Sequence, residues 1–255
     1  ACLGAAVARA DNPVDAANIE LAARVVALGR SPKAALPLLE LWQHWDSATP
    51  NKTLALLQGL ATSHRLAPSM RALATTFLAE AETRLGNPDA LVKRYDELGY
   101  LTTWRVIGPF DNEGKSGLDT ETPPERDRML APDLQATFPG RERPVSWRTY
   151  PDIAQRGYVS FSGVMRPREN VCGLAETFVY AERARRLTLL LGSGGANKVY
   201  WNGQQVFRDP AYRMPAPDRS AVVVSARKGA NRLLVKVCTA SAAWGFQLRV
   251  GEADG

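Results

Sequence analysis

The chain has 255 residues, 45% hydrophobic and 23% charged, the proportions of an ordinary globular protein that can bury a core without metals or disulfides. Its formal net charge is +6 and its pI about 9.4, but the basic residues are scattered, and the densest run, Glu182-Arg183-Ala184-Arg185-Arg186, contains an acid, so no nucleic-acid partner is expected. No stretch approaches the ~20 consecutive apolar residues of a membrane span.

Up to Gly99 the apolar residues recur at helical spacing. Ile19, Ala22, Val25, Val26 and Leu28 form a first stripe that ends at Gly29. Ser31-Pro32 opens a second helix with Leu38, Leu39, Trp42 and Trp45, which Pro37 kinks or starts. Asn51 is placed to cap a third, through Leu54, Leu57 and Leu60. Pro68 opens a fourth with Met70, Leu73, Phe77, Leu78 and Leu85, closed by Gly86. Asn87-Pro88-Asp89 caps a fifth, carrying Leu91, Val92, Tyr95 and Leu98, and Gly99 stops it. Short turns between five helices predict stacked α-hairpins, a helical-repeat domain over residues 1–99. They resemble a tetratricopeptide-like solenoid, although no clean 34-residue period is present.

From residue 100 to 255 the period becomes two, which predicts an antiparallel β-sandwich. Trp104 to Ile107 alternates as a strand and Gly108-Pro109 closes it. Residues 111–144, rich in Pro, Gly, Asp and Glu, are expected to form a surface loop or lid. Strands follow at Val145–Thr149, Tyr158–Phe161, Thr177–Tyr180 and Arg186–Leu191. Asn202-Gly203 supplies both positive-φ positions of a type I′ hairpin, setting Trp201 against Gln204, Tyr200 against Gln205 and Val199 against Val206. Leu233–Val237 and Trp244–Val250 complete the alternation.

Three strings carry a resemblance: Leu191-Gly192-Ser193-Gly194-Gly195 before Lys198-Val199-Tyr200-Trp201-Asn202-Gly203; Asn231-Arg232-Leu233-Leu234-Val235-Lys236-Val237; and Trp244-Gly245-Phe246-Gln247-Leu248-Arg249-Val250. With Trp104 to Asn112 and Pro123-Pro124-Glu125, they resemble the galactose-binding-like jelly roll, in particular the N-terminal accessory region of large bacterial envelope proteins that carry a transglutaminase-like domain. The resemblance covers about 150 residues. It implies a bacterial, extracytoplasmic location, and it departs at Gly194-Gly195, where relatives often have an acidic pair. Ala1-Cys2 fits a lipoprotein junction, with Cys2 the lipidated residue and the only link to a membrane; the competing reading is a buried thiol near the terminus. For Cys172 and Cys238 a disulfide and a pair of small buried hydrophobes both stand open.

The chain carries no recognisable catalytic site, and no metal or cofactor is expected. His44 and His64 have no ligand at metal spacing, and Cys172 has no His partner in its own domain. Asp111, Glu113, Asp119, Glu121 and Glu125 read as surface acids, and Gly192-Ser193-Gly194-Gly195 as a turn rather than a phosphate loop. Aromatics and hydrogen-bonding residues beside loops are the candidates for ligand binding: Tyr200, Trp201, Tyr212, Arg213, Asp218 and Trp244. Core packing competes for Trp201 and Trp244, and an Arg213–Asp218 pair pinning the loop 209–218 competes for those two. The expected function is that of a non-catalytic accessory region working through contacts with a protein or a downstream domain of the same polypeptide. A carbohydrate-binding module holding polysaccharide is the alternative, and an enzyme the least favoured.

Overall fold

The computed structural model describes residues 12–126, 132–151, 157–241 and 243–252, so Cys2 lies outside the described residues. The chain divides into two compact units between Tyr95 and Asp96. Among the described residues no helix is long and apolar enough to cross a membrane.

Five helices make up the first part: α1 (Pro13–Leu28), α2 (Ala35–Gln43), α3 (Pro50–Ala61), α4 (Pro68–Arg84) and α5 (Pro88–Glu97), the unit boundary falling within α5. Leu21, Val25, Leu38, Leu41, Leu57, Leu60, Phe77 and Leu78 form the helical core, with Trp42 stacked on Phe77 at 5.0 Å. The apolar stripe is shifted from expectation. Asp15 and Asn18 occupy the buried face of α1 while Ile19 is 58% exposed. The reason is polar: Asp15 accepts from the backbone N–H and the hydroxyl of Thr49, at 2.8 and 2.7 Å, and Asn18 meets His44 at 2.8 Å. Asp15 thereby fills the N-terminus of α3, where its charge suits the helix dipole, and the helix starts at Pro50 rather than being capped by Asn51. Leu39, Leu85 and Val92 also face outward.

The second part is an antiparallel β-sandwich. Its strands are β1 (Arg105–Asp111), β2 (Thr137–Pro139), β3 (Pro144–Ser146), β4 (Arg148–Thr149), β5 (Tyr158–Ser160), β6 (Val171–Ala181), β7 (Arg185–Gly194), β8 (Ala196–Trp201), β9 (Gln204–Asp209), β10 (Ser220–Ala226), β11 (Gly229–Thr239) and β12 (Gly245–Glu252). One sheet has the order β4-β1-β6-β11-β8-β9 and the other β10-β7-β12-β5, with β2-β3 a separate hairpin. From β9 to β12 each successive strand changes sheet, as in a jelly roll. Val106, Ala175, Val199, Trp201, Leu233, Val235 and Val237 face inward from the larger sheet, onto Leu187, Leu189, Leu191, Phe246 and Leu248 from the smaller.

Three expectations change here. The hairpin at Asn202 (φ 48°) and Gly203 (φ 82°) has the expected turn and Trp201↔Gln204 and Tyr200↔Gln205 pairs, but an irregularity next to Tyr200 sets Val199 against Phe207 instead of Val206. Gly192-Ser193-Gly194 is strand, not turn. These glycines are needed because backbone passes close by: a Cβ on Gly192 would strike the Ala216 carbonyl, and one on Gly194 the Ala243 carbonyl. Finally, the segment after Asp111 is no plain surface loop. It contains a short helix, α6 (Pro123–Arg126), and the β2-β3 hairpin. Leu118, Val145 and Trp147 pack with Ile107, Cys172, Leu174, Tyr200, Leu234 and Cys238 to build a second core on the outer face of the larger sheet. β1 also runs through Gly108-Pro109, with a register shift there, rather than ending at it.

Candidate functional site

Alternation along β6 puts Cys172, Leu174, Glu176, Phe178 and Tyr180 on the outer face, and Arg232, Leu234, Lys236 and Cys238 share that face from β11. The Cys172–Cys238 pair is joined as a cross-strand disulfide, Cα to Cα 4.0 Å. Two buried carboxylate–cation pairs lie on this face, one under cover and one beside a cleft.

The covered pair is Glu125 and Lys236. Thr122-Pro123-Pro124-Glu125 makes half of a capping box: Glu125 Oε2 accepts from the Thr122 N–H and hydroxyl, both at 2.7 Å, while the Glu125 N–H donates to the Thr122 carbonyl at 2.9 Å. The same oxygen takes Lys236 Nζ at 2.7 Å, and Tyr200 donates to Oε1 at 2.8 Å. Lys236 also donates to the Thr120 carbonyl at 2.8 Å. Burial pushes the Glu125 carboxyl up, but the ammonium of Lys236 and the Thr122 donors outweigh it and hold the group below its usual range. Burial pushes the Lys236 ammonium down, opposed by Glu125. Glu125 is therefore no surface acid: it pins the segment from 120 to 126 to the sheet.

The second pair is Glu176 and Arg232, at 2.6 Å through Oε2. Here the cover stops. β1 pairs with β6 only as far as Arg105↔Glu176, so beyond that point the strand is bordered by β11 alone. A cleft of about 360 Å³ opens there, lined by Thr103, Trp104, Arg105, Thr149, Glu176, Thr177 and Phe178. Glu176 Oε1 is buried and has no hydrogen-bond partner among the described residues. Instead it is ion-paired with Arg105 Nη1 at 3.6 Å, and the Glu176 side chain is closed to solvent. Desolvation raises the Glu176 pKa and outweighs the opposing pull of Arg232 and Arg105. Phe178 is 43% exposed and Tyr180 72%.

The six residues picked from sequence do not converge on this cleft or on one another. Trp201 and Trp244 are core residues whose indole N–H groups donate to the carbonyls of Ser225 and Val237, each at 2.9 Å. Tyr200 is buried over Glu125. Tyr212 meets the Asn112 side chain at 3.1 Å and lies under the Lys115 ammonium. Arg213 and Asp218 do not pair with each other: Arg213 binds Asp209 at 2.8 Å, and Asp218 binds Arg249 at 2.7 Å. At Gly194 and Gly195 the Ala243 and Cys238 carbonyls stand where side chains would project, so the position has no room for an acidic pair. The residues sequence reasoning missed are Arg105, Glu176, Phe178 and Tyr180. The signal available was the alternation Glu176-Thr177-Phe178-Val179-Tyr180, which puts an acid and two aromatics on one face of a strand.

No family model matches the chain, and no curated protein does. Among solved structures, a family 35 carbohydrate-binding module from Clostridium thermocellum is 18% identical with a TM-score of 0.25, over 32% of this chain and 72% of that one. A β-glucuronidase from an uncultured Clostridium sp. is 13% identical with a TM-score of 0.37, over 60% of this chain and 29% of that one. A β-glucosidase from Kluyveromyces marxianus, in complex with glucose, is 15% identical with a TM-score of 0.32, over 39% of this chain. The chain spans only 14% of the length of that enzyme.

Proposed function

We propose that the β unit is a non-catalytic binding module that takes a neutral, polyhydroxylated ligand, a glycan, at the Glu176 cleft, and that the chain serves as an accessory region of a larger bacterial envelope protein. The observation that carries this reading is the cleft itself, where Thr103, Thr149, Thr177 and Arg105 stand beside the Phe178 ring. The threonine side chains can donate to or accept from a sugar's hydroxyls, and the exposed Arg105 guanidinium can donate to them. Arg105 and Arg232 disfavour a cation, and the buried carboxylate disfavours an anion. Phe178 adds an apolar ring face at the cleft wall.

The disulfide supports an extracytoplasmic location. On this reading the helical unit, with its tetratricopeptide-like hairpins, is scaffold, Cys2 is the lipid anchor, and a transglutaminase-like domain lies elsewhere on the same polypeptide. Contact with a protein or neighbouring domain is the second reading, favoured by the adjacent exposed Phe178 and Tyr180. Binding to a glycan array and to insoluble peptidoglycan tests the first. Binding is expected for the wild type and lost in Arg105→Ala with unchanged circular dichroism. Wild-type protein that binds no polysaccharide would overturn the reading.

A further inference from the structure

Among the described residues the smaller sheet ends on one side at β10, which pairs with β7 in unbroken register from Ser220↔Leu191 to Ala226↔Arg185. Leu248 and Val250 of β12 face the core, and their backbone groups bond Leu101 and Gly99 on the side away from β7. β10 runs parallel to β12, since both are antiparallel to β7. Chirality therefore turns the backbone groups of its own core-facing residues, Val222 and Val224, toward β7, and those of Ala221, Val223 and Ser225 toward the open edge. The Ser225 carbonyl on that side takes the Trp201 indole N–H at 2.9 Å. The N–H and C=O of Ala221 and Val223 and the N–H of Ser225 meet no partner among the described residues. The loop before β10 does not cross this edge: it runs on beside β7, with Ala216 against Gly192 and Pro215 against Gly194.

Edge strands are ordinarily blunted by a charge, a proline or a bulge. β10, Ser-Ala-Val-Val-Val-Ser-Ala, has none of these, and Ala221, Val223 and Ser225 are exposed. Cations flank it instead. Arg219 and Lys228 stand exposed just beyond its two ends, and Arg186 lies across from Ser225. None of the three has an ion pair or hydrogen bond among the described residues. Asp218, the acid next to Arg219, is taken by Arg249 at 2.7 Å. These charges select the occupant. A second copy paired antiparallel about Val223 would bring Arg219 of one chain opposite Arg227 of the other, and like charges directly opposite are destabilising. An extended segment with acids at its ends meets the same cations with opposite charge.

We propose that β10 is a docking edge for another protein, whose extended acidic segment joins the smaller sheet as a further strand. Its backbone pairs with Ala221, Val223 and Ser225, and its carboxylates meet Arg186, Arg219 and Lys228. The edge belongs to the opposite sheet from the cleft and is independent of the glycan reading. Fluorescence anisotropy of the whole chain with a labelled peptide of about nine residues, alternating Val and Thr with Glu-Glu at each end, tests it. Binding is expected, weakening as salt rises, and about tenfold weaker in Arg219→Glu/Lys228→Glu. The same peptide with two central prolines, which withdraw its strand donors, is expected not to bind, and neither is a version with Lys in place of Glu. Val223→Pro removes an outward N–H while sparing the β7 ladder, and is expected to abolish binding with circular dichroism unchanged. The peptide variants decide the question on wild-type protein alone. Equal binding of the proline or lysine peptide, or no binding of the acidic one, would overturn the proposal. So would a concentration-dependent dimer in sedimentation that Val223→Pro disperses, which would make a second copy the occupant.

Discussion

Glu125 Oε2 and Lys236 Nζ lie 2.7 Å apart with both side chains closed to solvent, and they join a four-residue helix to the centre of the larger sheet. Removing one partner leaves a buried charge without compensation, which costs about 3–5 kcal/mol. Lys236→Met is therefore expected to lower unfolding free energy by that amount in urea titration. Glu125→Gln/Lys236→Met should cost less than the sum of the two single changes, because the second change removes the stranded charge. Additive costs would show that the two groups act independently.

Glu125 and Glu176 should give stability–pH profiles of opposite slope. The Glu125 pKa is lowered, so its contribution is full above the ordinary glutamate range and is lost as pH falls through the folded value. The Glu176 pKa is raised, so its contribution is present below the unfolded value and is lost as pH rises through the folded one. Relative to wild type, Glu125→Gln is expected to become more costly as pH increases from about 3 to about 7, and Glu176→Gln less costly. Urea titrations of both variants across that range check the signs. Parallel trends would contradict the different surroundings of the two carboxyls.

Much of the fold was legible because it is written in local periods. Helical spacing to Gly99, alternation after it and the Asn202-Gly203 turn each depend on neighbours within a few residues. The site was less legible because it depends on where an element stops. The cleft opens where β1 pairing ends at Arg105, a fact of sheet register that alternation does not encode. For Trp201 and Trp244 ligand contact and core packing both stood open from the sequence, and their N–H groups find carbonyls inside the sandwich, as core packing requires. Glu125 read as a surface acid because the partner that buries it, Lys236, is 111 residues away.

The disulfide closes a loop between residues 66 apart in sequence and sits in the outer core beside Leu174 and Leu234. Such a constraint on the unfolded chain contributes about 2–4 kcal/mol. Cys172→Ala/Cys238→Ala is expected to lose that much stability in urea. Intact-mass analysis after alkylation in denaturant without reductant should show no label on either of these cysteines; labelling of both in protein from an oxidising compartment would refute the bond.

Asn231 ties the turn between β10 and β11 to the Asn202-Gly203 hairpin of the larger sheet. Its Nδ2 donates to the carbonyls of Arg227 and Gly229 at 2.8 and 3.1 Å, and its Oδ1 accepts from the Arg227 N–H and from Asn202 Nδ2, both at 2.9 Å. Asn202 in turn accepts from the Arg232 N–H at 3.0 Å. Asn231 is fully buried, so Asn231→Ala strands several of these groups and is expected to cost about 2–3 kcal/mol. Gly203→Ala forces a positive φ of 82° on a residue with a Cβ but breaks no hydrogen bond of this network, and is expected to cost about 1 kcal/mol. Chemical denaturation of the two variants under one set of conditions makes the comparison. A Gly203→Ala cost equal to that of Asn231→Ala would mean that backbone strain in the turn, rather than the asparagine network, holds β8 and β9 to β11.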